Sequence, residues 1–310
     1  MGEQGVRIGL SAVVIALRDG RACVLTTPGD DGSAALPFGP FDPTRDRTFE
    51  LALRAFVTAQ TGFRLGFVEQ LYTFGDLGRA SPRATPGPED HREVSVGYLA
   101  LTADAADAPA ADARWTPVLD FFPWEDRRDG AAACQTALID GLRAWAAGDA
   151  RRLARIDALF AAASGQRWTE GRVLERYELL YEAGLVAEAA RDLDKAVPSA
   201  APGLPMVSDH RRILATGLGR LRSKLKYRPV LFDLMPETFT LSGLQAAAEA
   251  VAGLSLHKQN FRRGVERTGL VEATGRLSAA TGGRPAELFR VVAGDLSSGE
   301  ALGLPLPTLR

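Results

Sequence analysis

The stretch HKQNFRRGVERTG, His257 to Gly269, concentrates hydrogen-bond donors and cations within one short helix. At about 100° per residue Phe261 and Val265 share one face, whereas Gln259, Arg262, Arg263 and Arg267 lie across from it or on its flank. One face packs and the other offers donors. Arginine pairs in bidentate fashion with guanine O6 and N7, and glutamine or asparagine with adenine. The first turn of a helix laid in the major groove is the part that reaches base edges. His257, Lys258, Gln259 and Asn260 occupy that first turn. Arg222, Lys224 and Lys226 in the basic run RLRSKLKYR, and Arg276 and Arg284 around a glycine-bearing turn, are cations suited to phosphates. Such contacts set affinity and salt dependence and read no sequence. A polar helix face is in most proteins merely solvated, so the charge balance matters. The whole chain carries −1, but from Met206 to its end 15 Lys and Arg face 9 Asp and Glu, a net of +6.

The elements that must hold these residues follow from the surrounding pattern. SDHRRILATGLGRLRSKLKYRPV reads as a basic helix stopped by Pro229, and FTLSGLQAAAEAVAG as a short helix with Thr240 as N-cap and Gly253 at its end. A third helix starts on Ser255 as N-cap and ends on Gly269. LVEAT and AELFRVV pair as a hairpin with Arg276 and Arg284 at its tip. The order helix, short strand, helix, turn, helix, hairpin is that of a winged helix-turn-helix, a reader of double-stranded DNA.

The first part of the chain has another character. Leu10–Leu17, Ala22–Thr26, Phe67–Phe74 and Val94–Thr102 read as strands, Arg18-Asp19-Gly20-Arg21 as a hairpin turn, and Thr48–Thr61 as a helix with Phe49, Leu53, Phe56 and Val57 at helical spacing. GDLGRASPRATPGPEDHR reads as a long surface loop. From Gln135 onward the pattern is helical, with Val173, Tyr177 and Leu180 forming one buried stripe, and PSAAPGLPMV has the composition of a linker. Two cysteines, Cys23 and Cys134, make neither a disulfide framework nor a metal-ligand spacing. No apolar run reaches the roughly 20 residues that span a bilayer, so a cytoplasmic protein without membrane contact is expected.

The stretch GPFDPTRDRTFELALRAFVTAQTGF resembles the loop and helix with which Nudix hydrolases hold magnesium against a diphosphate. Their pattern is G-x5-E-x7-R-E-U-x-E-E-x-G-U. With Thr61-Gly62-Phe63 fixing its end, the glutamate pair becomes Ala59 and Gln60, the earlier Arg-Glu becomes Ala55 and Phe56, and the first Glu becomes Arg47. Only Val57, Gly62 and Phe63 match. Without those carboxylates there is no cluster of hard oxygen ligands for a metal and no base to activate water, so no catalytic residue, metal or cofactor is expected. Positive charge at Arg45, Arg47 and Arg54 suits phosphates directly, and Phe38, Tyr72, Phe74 and Tyr98 are candidates to stack on a base.

Over nearly its whole length, through SKLKYRPVLFDLMPETFTLSGLQ, HKQNFRRGVERTGLVEATG and GGRPAELFR, the chain resembles the NrtR family of Nudix-related repressors of NAD metabolism. LPFGPFDP, QTGF, EQLYTFGD and ERYELLYEAGLV resemble most its alphaproteobacterial branch, the NAD regulators or NadQ. The resemblance implies a homodimer, an operator near NAD synthesis or salvage genes, and an adenine nucleotide effector such as NAD, ADP-ribose or ATP. The expected organisation is an α/β Nudix-like sensing domain over residues 1–147, a helical connector and linker over 148–205, and the winged helix-turn-helix over 206–310. The alternatives are a Nudix-type nucleoside diphosphate hydrolase with a nucleic-acid-binding tail, for which Asp42, Asp46 and Glu50 are the nearby acids, and a scaffold that binds only proteins.

Overall fold

The computed structural model describes residues 5–29, 32–75, 91–103, 112–130, 133–198, 201–226, 229–278 and 285–292. Most of the loop expected between Gly75 and Arg92 lies outside these residues, and so does Arg284. Strand β1 (Gly5–Arg18) turns at Asp19-Gly20, both with positive φ, into β2 (Arg21–Pro28), as the Asp-Gly pair requires. There follow β3 (Ala34–Ala35), β4 (Phe38–Pro40), helix α1 (Phe49–Thr61), β5 (Phe67–Phe74), β6 (His91–Thr102), β7 (Arg114–Pro117) and the short α2 (Val118–Phe121). The sheet order is β3-β2-β1-β6-β5, with β4 beside β1 and β7 beside β2. β1 and β6 run parallel, from Gly5 opposite His91 to Ala16 opposite Thr102, and the other described strand pairs of the sheet run antiparallel, so the sheet is mixed.

Alternation along the strands sends side chains to two cores. Leu10, Ala12, Val14, Val96, Tyr98 and Ala100 meet Ala52, Leu53 and Val57 of α1. Val13, Ile15, Leu71, Phe74, Leu99 and Leu101 face the other way, into a larger core with the remaining helices. Helix α1 starts where the Thr48 hydroxyl accepts from the Leu51 amide at 3.2 Å, and it stops at Gly62, whose φ of 71° a side chain would strain.

After α3 (Gln135–Ala146), α4 (Ala150–Phe160), α5 (Val173–Glu182) and α6 (Ala187–Asp192) comes α7 (His210–Lys224), the helix read from sequence as the entry to the DNA reader. It lies instead on the second face of the sheet, with Ile213, Leu214, Leu218 and Leu221 in the larger core. Small residues permit the approach: an added Cβ at Gly217 would come to 2.9 Å from Val13, and one at Gly219 to 2.8 Å from the Gly171 carbonyl oxygen. The stretch expected as a linker is anchored. Met206 is fully buried, Leu204 N–H donates to Asp120 O at 2.9 Å, and Val207 N–H to Ala34 O at 3.0 Å.

The last described elements are α8 (Leu241–Ala252), α9 (Lys258–Thr268) and the hairpin β8 (Val271–Leu277) and β9 (Glu287–Val291), with Phe239 bridging to Phe289 as the expected short strand. Thr240 caps α8 by accepting from Gly243 N–H at 2.9 Å, and Gly253 and Gly269 close α8 and α9 with positive φ. Ser255 is not the cap of α9. The helix begins after His257, and the Ser255 hydroxyl donates to the Arg128 carbonyl at 2.7 Å.

Candidate nucleic-acid interface and nucleotide cleft

Helix α9 is held from one side only. Phe261, Gly264 and Val265 are buried, which fixes the rotation of the helix about its axis. His257, Lys258, Gln259, Asn260, Arg263, Glu266 and Arg267 are thereby left exposed, so the first turn and the outer face present donors to solvent. Arg262 is half-buried and donates to the Ser242 hydroxyl at 3.1 Å, which ties it to α8. Arg276 is exposed on β8 and follows Gly275, whose φ of 70° falls between Ala273 and Leu277, where the register with β9 shifts. These residues lie on one helix and one hairpin of the same small unit.

The basic run before them does something else. Arg222 is fully buried, with Nη1 at 2.5 Å from Glu125 Oε2 and Nε donating to Val251 O at 2.9 Å. Lys224 is buried against Glu69 of β5, to which its ammonium is ion-paired. Neither can reach a phosphate, because desolvation has already been balanced by an internal carboxylate and release would strand that carboxylate. Lys226 is exposed, with its ammonium 2.8 Å from Glu170 Oε2. Glu125 also receives Arg176, through Nε at 2.6 Å and Nη2 at 2.8 Å, so one buried carboxylate serves two buried guanidiniums. Burial raises its pKa, but Arg176 and Arg222 together outweigh that and hold it below the usual glutamate value. Burial pulls Arg222 downward, yet a guanidinium remains charged at any physiological pH.

In the sheet domain, two of the positions that carry glutamates in a Nudix helix, Phe56 and Gln60, make structural contacts. Gln60 clamps β4, with Nε2 donating to Phe38 O at 2.6 Å and Oε1 accepting from Phe38 N–H at 3.2 Å. Phe56 packs on Gly39, where an added Cβ would meet its ring at 3.2 Å. Ala55 and Ala59 are exposed. The nearby acids are committed as well. Asp42 accepts from the Thr44 amide and hydroxyl, which hold its carboxyl below the usual range; Asp46 accepts from Asp42 N–H; Glu50 pairs with Arg54 at 2.8 Å. Among the described residues no three His, Cys, Asp or Glu side chains are grouped to hold a metal ion.

The expected nucleotide contacts are not brought together. Arg54 spends its donors on Glu50, Leu65 O and Gly66 O, bracing the loop after α1. Phe74 and Tyr98 lie on opposite faces of the sheet: Phe74 opposes Ser95 beneath α7, whereas Tyr98 sits beneath α1, its hydroxyl pKa raised by burial and by Glu50. Tyr72 is exposed and stands edge-on to Phe74 at 5.3 Å between centroids. Phe38 is half-exposed and edge-on to His210 at 4.9 Å. Arg45 and Arg47 are exposed on the loop before α1. Beside that loop a cleft of about 340 Å³ opens between the start of β1 and Phe41-Pro43, lined by Gly5, Val6, Arg7, Ile8, Phe41 and Pro43. Arg7, exposed there, was not singled out from sequence; a lone cation at the start of a strand carries no signal until the strand's neighbours are known.

Comparison with known proteins places this geometry. Residues 231–291 match the NrtR DNA-binding winged helix domain. An 87-residue stretch, 28% of the chain, is 39% identical to the ADPR responsive transcriptional repressor NtrR of Acinetobacter baylyi, and it spans about a third (34%) of that relative. The whole fold superposes on Shewanella oneidensis NrtR complexed with a 27mer DNA, with a TM-score of 0.57 and 21% identity over 98% of this chain and 99% of that one. A MutT/nudix family protein from Enterococcus faecalis gives 0.53 and 15% over 94% and 88% of the respective chains. Residues 231–291 thus match a winged helix domain of the NrtR type, and the chain as a whole shares the fold of these two structures.

Proposed function

We propose that this protein is a repressor that binds operator DNA as a homodimer and responds to an adenine nucleotide, with ADP-ribose as the first candidate. The observation that supports it most is the outer face of α9. There, Lys258, Gln259, Asn260 and Arg263 are exposed together on a helix whose inner residues Phe261 and Val265 are locked in the core. That is the arrangement by which a winged helix reads base edges. The 39% identity of an 87-residue stretch to an ADPR responsive transcriptional repressor supports the same reading. One such helix covers only a short half-site, and a two-fold dimer doubles it.

The Nudix-like domain acts in this reading as a sensor that spares its ligand. Its helix lacks the carboxylates that hydrolysis needs, and Gln60 and Phe56 occupy their places with structural contacts. The nucleotide is proposed to enter the cleft beside β1, where Arg7 is in the lining and Arg45 and Arg47 are exposed further along the loop that begins at Phe41 and Pro43, cations suited to a diphosphate. The cleft is at the lower end of the volume range for small-molecule sites. Selection of duplexes from a random library by the full chain, followed by gel shifts at two salt concentrations, tests the first half. Enrichment of a palindromic sequence that survives at high salt is expected, and retention of all duplexes alike would leave only nonspecific charge.

A further inference from the structure

The turn between α8 and α9 is not left to its own domain. Arg127 N–H donates to Gly253 O at 2.8 Å, and the Ser255 hydroxyl donates to Arg128 O at 2.7 Å. Arg222, ion-paired to Glu125, donates through Nε to Val251 O at 2.9 Å. Gly253, at a φ of 69°, is so close that an added Cβ would overlap the Glu125 carbonyl oxygen and come to 2.9 Å from Arg222 Nη2. Every one of these contacts runs from residues 251–255 to the segment Glu125–Arg128 or to the guanidinium held by Glu125. The segment is itself stiffened: Arg128 lies bidentate on Asp126, at 2.8 Å through Nε and 2.6 Å through Nη2. Helix α9 begins three residues beyond Ser255.

Leverage makes this junction matter. Helix α9 has 11 residues and so is roughly 16 Å long, and a swing of about 10° at its entry turn would move its far end by ~3 Å, close to the rise of one base pair. A reader hinged only on its own small core would tolerate such swings, whereas one bonded at the turn to the sheet domain would not. Resting on the reading of the chain as a DNA-binding dimer, the geometry points to a positioning role: Glu125–Arg128 is a clasp that fixes the pose of the recognition helix and hence the spacing between the two half-sites a dimer accepts. The residues of the clasp touch no DNA in this account; they act through α9.

The test uses the full chain with Ser255→Ala, which removes the hydroxyl donor, Ser255→Thr, which restores it, and Gly253→Ala, which wedges the clasp open. Hydrogen exchange without DNA reports the clasp directly. In Ser255→Ala the amides of Arg127, bonded to Gly253 O, and of Phe261, bonded to His257 O, are expected to exchange about three- to tenfold faster, the worth of one lost hydrogen bond. Binding to the selected duplex and to versions with the half-sites one base pair nearer or farther reports its use. A preference of about tenfold for the native spacing in the parent, comparable with one missed base contact, should fall at least threefold in Ser255→Ala and return in Ser255→Thr. Gly253→Ala should go further in both readouts if it folds, and Ser255→Ala decides the matter if it does not. If Ser255 served only as a phosphate contact, all spacings would weaken alike with exchange unchanged, and the clasp would be refuted. Faster exchange with an intact spacing preference would refute it too. If the parent bound no duplex specifically, the proposed function would fail, while exchange at α9 would still show whether Ser255 holds that helix.

Discussion

Replacing Glu125 by glutamine keeps the shape of the side chain and removes its charge. The carboxylate is fully buried and receives Arg176 at 2.6 and 2.8 Å and Arg222 at 2.5 Å. Removing one partner of a buried ion pair costs about 3–5 kcal/mol, because the survivor is left buried and uncompensated. Here two survivors remain, so a value near 4 kcal/mol is the working expectation. At about 2–4 °C per kcal/mol for a large domain, the melting temperature should fall by roughly 8–16 °C. The pH dependence supplies a second handle. Because the folded pKa of Glu125 lies below the unfolded one, its contribution is fully present above the unfolded value, about 4.3, and is lost as pH falls through the folded value. Glu125→Gln should lack that part of the acid limb. Calorimetry across pH 3 to 7 reads both. A variant melting within about 2 °C of the parent, less than 1 kcal/mol by the same conversion, would show that the buried charges are not coupled as described. Replacing all three charges together, by Glu125→Leu, Arg176→Met and Arg222→Met, should recover most of the loss.

Arg263→Ala, at an exposed position on α9, should cost about 1–3 kcal/mol of specific DNA binding and leave the melting temperature unchanged; gel shifts and thermal melts check the pair. Arg276→Ala, at an exposed position on β8, should lower the slope of log affinity against log salt by about 1, whereas Lys224→Ala, whose ammonium is spent on Glu69, should leave that slope unchanged and weaken the fold instead. Incubation with ADP-ribose and Mg²⁺ should release no AMP, and EDTA-sensitive release in proportion to protein would restore the hydrolase alternative. Gln60→Ala should loosen β4, because both bonds to Phe38 are lost, and faster amide exchange at Phe38 would register it.

Local signals in the sequence located most elements. The Asp-Gly turn, the Thr48–Thr61 helix, the Thr240 cap, and Gly253 and Gly269 as helix ends each depend on a residue's own backbone preference, and each stands within a residue of where the chain alone placed it. The exposed face of α9 was legible for the same reason, since Phe261 and Val265 define it by periodicity. The buried roles of Arg222 and Lys224 in the basic run before it were hidden because charge in a sequence does not show its counter-charge. Glu125 is 97 residues from Arg222 and Glu69 is 155 from Lys224, and only the packing of α7 on the sheet brings them together. Strand register hid the separation of Phe74 from Tyr98, as neighbouring strands reveal which faces match only once Phe74 is seen opposite Ser95. Ser255 looks like a cap in any local reading, and its true partner, the Arg128 carbonyl, is a long-range contact.

In the proposed function, nucleotide binding in the sheet domain changes DNA binding by the winged helix. It is tested most directly by fluorescence anisotropy of the full chain on its selected duplex while ADP-ribose is titrated. A coupling of about 1–3 kcal/mol should shift the operator affinity by roughly 5- to 150-fold, with the affinity for a scrambled duplex changed far less. An operator affinity that stays constant up to millimolar ADP-ribose, NAD and ATP would contradict the account and leave the Nudix-like domain as a scaffold for the reader.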